Sequence, residues 1–227
     1  MSPIAERLSA VRGRIDAACA RAGRDRSTVR LVAVTKTVPV AGVVEALSAG
    51  QDLFGENRVQ EAMDKMQGVP PPATWHLIGH LQRNKAKLAV GSFALIHGVD
   101  DLALAAELNR RAQERNLTQA VLVQANLSDE ATKHGAGENA LMPLLTSVAG
   151  MPQLDLRGLM IIPPPVDDPE LSRPWFRRLR ALRDEAAARL KIPLAELSMG
   201  MTDDFETAIE EGATLVRVGR AIFGERG

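Results

Sequence analysis

Lys36 directly follows the apolar run LVAVT (31–35). An amine at the edge of a buried strand is partly desolvated, which favours its neutral, nucleophilic form. Neutral lysine is what forms a Schiff base with an aldehyde. The competing reading is a lysine whose stem covers apolar surface while its head reaches water. Arg217 lies inside a second apolar run, LVRV (215–218), where an unpaired guanidinium is costly. It needs an acceptor, either a carboxylate of the chain or a ligand atom. Gly219 follows, then a short helix begins, and free backbone N–H groups at a helix start form an anion site. The segment SMGM (198–201) adds a serine hydroxyl and another glycine. Together these residues describe a site for an aldehyde that carries a phosphate.

The elements that must position them repeat as strand then helix. After an amphipathic helix over 3–22 stopped by Gly23, strands are predicted at 31–35, 52–54, 75–79, 94–99, 120–126, 156–162, 195–199 and 213–218. Helices are predicted between them at 40–49, 58–66, 82–90, 102–115, 139–148, 171–190 and 203–211, with a last one from Ala221. In the seventh of these, Asp203 and Glu206 have capping-box spacing. Strands that are nearly all apolar and joined by helices imply a parallel sheet. Eight such units are the count of a closed (β/α)8 TIM barrel, here with an extra N-terminal helix. An open doubly wound sheet is the alternative, but no G-x-G-x-x-G follows the first strand. The chain is expected to form one domain over 1–227, with residues 1–23 packed on the barrel. In such barrels chemistry sits at the C-terminal strand ends. Those ends read Lys36, Asn57, Gly79-His80, Asp100, Asn126, Ile162-Pro163, Ser198-Met199 and Arg217-Gly219.

Composition excludes several function classes. The chain has 227 residues with 28 basic and 28 acidic side chains, so no net charge draws it to nucleic acid or to an anionic membrane. No apolar run is long enough to span a bilayer. The single Cys19 permits no internal disulfide, which suits a cytoplasmic location. Four scattered histidines and one cysteine show no metal-ligand spacing, so no metal is expected. No exposed apolar stripe demands a partner, and a monomer is expected. There is no tyrosine at all, which removes any mechanism needing one from this chain.

The segments LVAVTK (31–36), FGENRVQEA (54–62), WHLIGHLQRNK (75–85), KHG (133–135), RGLM (157–160), SMGMTDD (198–204) and VRVGRAIFGER (216–226) occur in this order over the whole chain. In them the chain resembles the pyridoxal-5′-phosphate (PLP) homeostasis proteins, the YggS/PROSC family. The resemblance implies a barrel similar to the N-terminal domain of alanine racemase and other fold-type III PLP proteins. It implies that Lys36 holds PLP as an internal aldimine, with Ser198, Gly219 and the backbone of Arg220 on the phosphate. Arg217 would face the pyridine nitrogen and Asn57 would lie beside the ring, with His76, Met160 and Met199 also about the cofactor. Met201 is a further candidate for the pocket wall. Arg220 stands where many members carry threonine or serine, so only its backbone donor is expected to serve.

An arginine at the pyridine nitrogen cannot accept a proton, which makes PLP a poor electron sink. With no tyrosine base and no residues for a second domain, two-base racemisation is not expected. The expected role is a PLP carrier or regulator with no catalytic residues, its partners being PLP and PLP-requiring apo-enzymes. The alternatives are a weak PLP enzyme borrowing a base from His76, His80 or His134, and a PLP-free Schiff-base enzyme acting on a phosphosugar. Lys85 and Lys133 are candidates for a second amine that assists PLP release.

Overall fold

Ser2 opens the first helix by accepting the Ala5 N–H, with Pro3 at the first helical position, where a missing N–H costs nothing. This helix, α1 (Pro3–Arg21), buries Leu8, Val11, Ile15, Ala18 and Cys19 and is followed by Gly23 at φ 62°. The computed structural model describes residues 2–128 and 134–224. Along them strands and helices then alternate: β1 (Arg30–Val34), α2 (Val40–Ser48), β2 (Leu53–Glu56), α3 (Val59–Gly68), β3 (Thr74–Leu77), α4 (Ala86–Ala89), β4 (Leu95–Val99) and α5 (Leu102–Glu114). The second half runs β5 (Gln119–Asn126), β6 (Ala136–Gly137), α6 (Glu138–Ala149), β7 (Leu154–Ile161), α7 (Arg173–Leu190), β8 (Glu196–Ser198), α8 (Phe205–Glu210), β9 (Leu215–Val218) and α9 (Arg220–Phe223).

The strands pair in parallel in the order β4-β3-β2-β1-β9-β8-β7-β5, and a further β4–β5 pairing closes the barrel. The short β6 adds to the outer side of β5. Closure leaves no edge among the eight barrel strands, so each can be apolar on both faces. Strand alternation divides those faces. Val32, Leu53, Ile78, Leu95, Leu122, Met160 and Leu215 fill the interior, while Leu31, Ala33, Phe54, Leu77, Ile96 and Val216 pack under the helices. The same period carries the inward face on from Val32 and Val34 to Lys36, from Leu53 and Gly55 to Asn57, and from Leu215 to Arg217 and Gly219.

Two sequence expectations are corrected by the fold. The helix expected at 82–90 is a 3-10 turn, Arg83–Lys85, followed by the four-residue α4. The capping box at Asp203 and Glu206 does not form. Helix α8 starts at Phe205, Asp203 bonds Arg220, and Glu206 bonds Arg14 across to α1. Tertiary partners outcompete a local cap because they offer each carboxylate a charged donor.

Candidate functional site

A cavity of about 250 Å³ opens at the C-terminal ends of β1, β2, β3, β7 and β9, lined by Lys36, Asn57, Arg217, Gly219 and Arg220 among others. It is smaller than the roughly 300–1,000 Å³ typical of drug-sized sites, room for a single-ring ligand. Ile162 and Met201 give it an exposed apolar rim, as expected of Met201.

Lys36 is half-buried and sits in the turn after β1. No hydrogen bond or ion pair holds its amine among the described residues, whereas its neighbours are clamped. The Lys65 ammonium on α3 donates to the Thr35 carbonyl (2.6 Å), to Glu56 Oε1 (2.6 Å) and to Glu61 Oε1 (2.8 Å). The Thr35 hydroxyl donates to Glu56 Oε1 at 2.6 Å, and Glu61 Oε1 accepts the Thr37 N–H at 2.7 Å. Thr37 has φ 64°, a left-handed conformation costly for a β-branched residue. One buried cation and two carboxylates thus fix the backbone on both sides of Lys36 and leave its side chain free. Sequence reasoning overlooked this network, although Glu61 and Lys65 stand at i,i+4 on a helix.

Arg217 is fixed by other means. Its guanidinium donates to Ser198 Oγ (2.6 Å) and to the Ile161 carbonyl (2.9 Å), so within the chain its acceptors are a hydroxyl and a peptide oxygen and not the carboxylate anticipated as one alternative. Burial pulls its pKa down to about 10, opposed by Asp204, and it stays cationic at neutral pH. Ser198 Oγ lies 2.8 Å from His97 Nδ1, and His97 Nε2 lies 3.0 Å from His76 Nδ1. Arginine only donates, and the tautomer assignment that also gives the hydroxyl proton an acceptor has Ser198 Oγ donating to His97 Nδ1. His97 then donates from Nε2 to His76, which keeps its own proton on Nε2. Burial holds both imidazoles neutral, His97 well below its ordinary range and His76 at about 3, with a smaller push from Arg30.

Four expected cofactor residues lie elsewhere. His76 is one layer down and lines a separate cavity of about 340 Å³ at the N-terminal end of the strands, with Arg30, Asp52 and Arg157. Met160 fills the barrel interior, and Met199, one residue out of phase with Ser198, packs under the helices. Ser198 is fully buried, and its hydroxyl is engaged by Arg217 and His97. Ser198→Ala should therefore act on stability. It strands a guanidinium N–H and an imidazole nitrogen, a loss of about 1–3 kcal/mol read from the urea midpoint. An unchanged midpoint with weakened phosphate binding would return Ser198 to the anion cup.

The residues left for an anion are those around Gly219. Helix α9 makes its own bonds only from Ile222, whose N–H reaches the Gly219 carbonyl at 2.9 Å, which leaves the first-turn N–H groups of Arg220 and Ala221 ahead of the ladder. The Arg220 side chain is engaged by Asp203, which also lines the cavity. At the facing strand ends, a Cβ on Gly79 would lie 2.4 Å from the Asn57 carbonyl, so only glycine lets β3 end this close to Asn57. Lys85 shares a neighbouring cleft with Lys36, Asn57 and His80. Lys133 lies outside the described residues. Among the described residues, no helix is long and apolar enough to cross a membrane.

Residues 7–227 match the family model of the alanine racemase N-terminal domain. The chain is 45% identical over 222 residues to the pyridoxal phosphate homeostasis protein of Aquifex aeolicus, covering 97% of each. It is 44% identical over 227 residues to the protein of the same name from Pseudomonas aeruginosa, covering all of this chain and 97% of that one. PipY of Synechococcus elongatus PCC7942, solved with PLP bound, superposes with a TM-score of 0.87 at 38% identity over 97% of this chain and 100% of its own. The chain belongs to the pyridoxal phosphate homeostasis protein family, within the alanine racemase N-terminal domain family.

Proposed function

We propose that this protein binds PLP at the barrel mouth, with Lys36 as its covalent anchor, and serves PLP homeostasis as a carrier or regulator without substantial turnover. The observation that carries the proposal is the convergence of Lys36, Asn57, Arg217 and Gly219 on one small cavity. The donor set fits the group: an amine with no competing partner, a buried cation, an asparagine, and backbone N–H groups beside a glycine. PLP itself supplies an aldehyde for amines and a ring that withdraws electrons.

The chain's own residues limit the chemistry that the site can support. Arg217 has only donors and is held from behind by Ser198 and Ile161, so it can bond a ring nitrogen but not take a proton from it. It therefore favours the unprotonated ring, the weaker electron sink. Gly219 and the first-turn N–H groups of Arg220 and Ala221 would hold the phosphate. Asn57, whose backbone packs against Gly79, would contact the ring. The naming of the relatives for homeostasis supports the non-catalytic role. The proposal includes a cytoplasmic monomer, supported by its one buried, unpaired cysteine, that supplies PLP to apo-enzymes with help from Lys85 or Lys133.

The test is the visible spectrum of the purified protein before and after borohydride, followed by peptide mapping. The expected result is a yellow band that borohydride bleaches, leaving a pyridoxyl adduct on the peptide that contains Lys36. A protein that stays colourless with added PLP would overturn the proposal. Steady racemase or transaminase turnover from the same preparation would overturn its non-catalytic part.

A further inference from the structure

The loops after β3, β4 and β5 bring together His80, Asp100 and His134, which no pattern in the sequence connects. Asp100 Oδ2 lies 3.3 Å from His80 Nδ1 and 3.9 Å from His134 Nδ1, and one ligand atom from each residue falls within 4.8 Å of the others. The two imidazoles stack, 3.7 Å apart and 6° from parallel. The Asp100 side chain is only 10% exposed, and its other oxygen, Oδ1, is buried without a hydrogen-bond partner. A desolvated carboxylate with one idle oxygen, facing two ring nitrogens, is a site short of a cation.

We propose that His80, Asp100 and His134 form a site for a divalent transition metal of the zinc class. Two imidazoles and a carboxylate are ligands that zinc, cobalt and nickel take readily. The 3.3 Å separation of His80 and Asp100 is long for a hydrogen bond. It matches the spacing of about 3.3 Å between neighbouring ligands on a tetrahedral ion with bonds of about 2.0–2.2 Å. His134 Nδ1 has to come closer to Asp100 Oδ2 than its 3.9 Å, and both rings have to tilt out of their stack to aim their lone pairs at one ion. His134 can do so, being 57% exposed on a segment that is neither helix nor strand. Three protein ligands leave a coordination position open, beside the cleft that His80 shares with Lys36. An ion there would also tie the loop bearing His134 to the ends of β3 and β4.

The experiment titrates tag-free protein with Co²⁺ and follows the visible band of tetrahedral cobalt. Zn²⁺ is then added to displace it, and its binding is measured by calorimetry. Saturation at one metal per chain is expected. His134→Ala and His80→Ala should each weaken binding by at least about tenfold, and the exposed His134→Ala should leave the circular dichroism and melting curve unchanged. Binding of equal strength in both variants would overturn the site, as would the absence of a cobalt band. So would His80 and His134 ring resonances that do not move in the NMR spectrum when zinc is added. None of these readouts uses PLP, so their failure leaves the cofactor proposal untouched.

Discussion

Lys36→Ala should yield a folded protein that carries no covalently bound PLP and gives no pyridoxyl adduct after borohydride. Covalent attachment should be lost outright, because the amine forms the covalent link in the proposed site. The effect on folding should be slight. The amine has no partner among the described residues, and the turn that carries it is held through Thr35 and Thr37, which the substitution leaves intact. A change within about 0.5 kcal/mol is expected, as for a surface side chain away from special features. Noncovalent PLP should still bind weakly through Arg217 and the phosphate cup, and equilibrium dialysis would detect it. A variant that keeps the yellow band would move the anchor to another lysine. One that melts far below the wild type would make Lys36 a structural residue.

Lys65→Met should be the most destabilising single change near the site. Glu56 is fully buried and the Lys65 side chain is 9% exposed, so removing the ammonium leaves a buried carboxylate without its cation, held only by the Thr35 hydroxyl, and takes a donor from the Thr35 carbonyl. Breaking a buried pair by removing one partner costs about 3–5 kcal/mol, or a fall in Tm of roughly 10 °C at about 2–4 °C per kcal/mol for a chain of this size. The sign of its pH dependence comes from Glu56. Burial already raises its carboxyl above 4.5, against the pull of Lys65 and Thr35. A raised native pKa means that the folded state holds the proton more tightly than the unfolded chain. This group's contribution is therefore complete below the ordinary carboxylate range and is lost as pH rises through the folded value. Removing Lys65 raises that value further, so the variant's deficit should be small near about pH 5 and grow towards about pH 8. Adding Glu56→Gln to Lys65→Met should recover most of the loss and flatten the pH profile. Urea denaturation at both pH values decides it: a deficit below about 1 kcal/mol, the worth of an exposed pair, would mean that the network is not holding the turn.

Some parts of this molecule are legible residue by residue. Apolar runs such as LVAVT and LVRV announce buried strands, since only a sheet covered on both faces hides so many branched side chains. Their number points to closure. Lys36, Asn57, Arg217, Gly219 and Arg220 can be placed together from the sequence because strand alternation sends them to the barrel mouth, where they line one cavity. Alternation also explains why Met199 packs under the helices, away from the cavity: it is one step out of phase with Ser198.

What height each residue takes inside the barrel is a different matter. His76 and Ser198 face inward, yet they sit below the cavity, where Ser198 secures Arg217 and His76 ends a chain of imidazoles. Height depends on the register between neighbouring strands, such as Gly55 beside His76 and Ser198 beside Leu215. Register is a property of the closed sheet and of no single segment. The same holds for His80, Asp100 and His134, which are dispersed in the sequence and meet only because three loops leave adjacent strands on one rim.

The sequence by itself therefore determined the barrel, the family and the amine at its mouth, because each is written in local composition, period and motif order. The tertiary structure alone decided which polar groups meet: the clamp on either side of Lys36, the hydroxyl behind Arg217 and the histidine pair on Asp100. Those meetings are set by distances of a few ångströms across the barrel, which the chain acquires only when its first and last strands close the sheet.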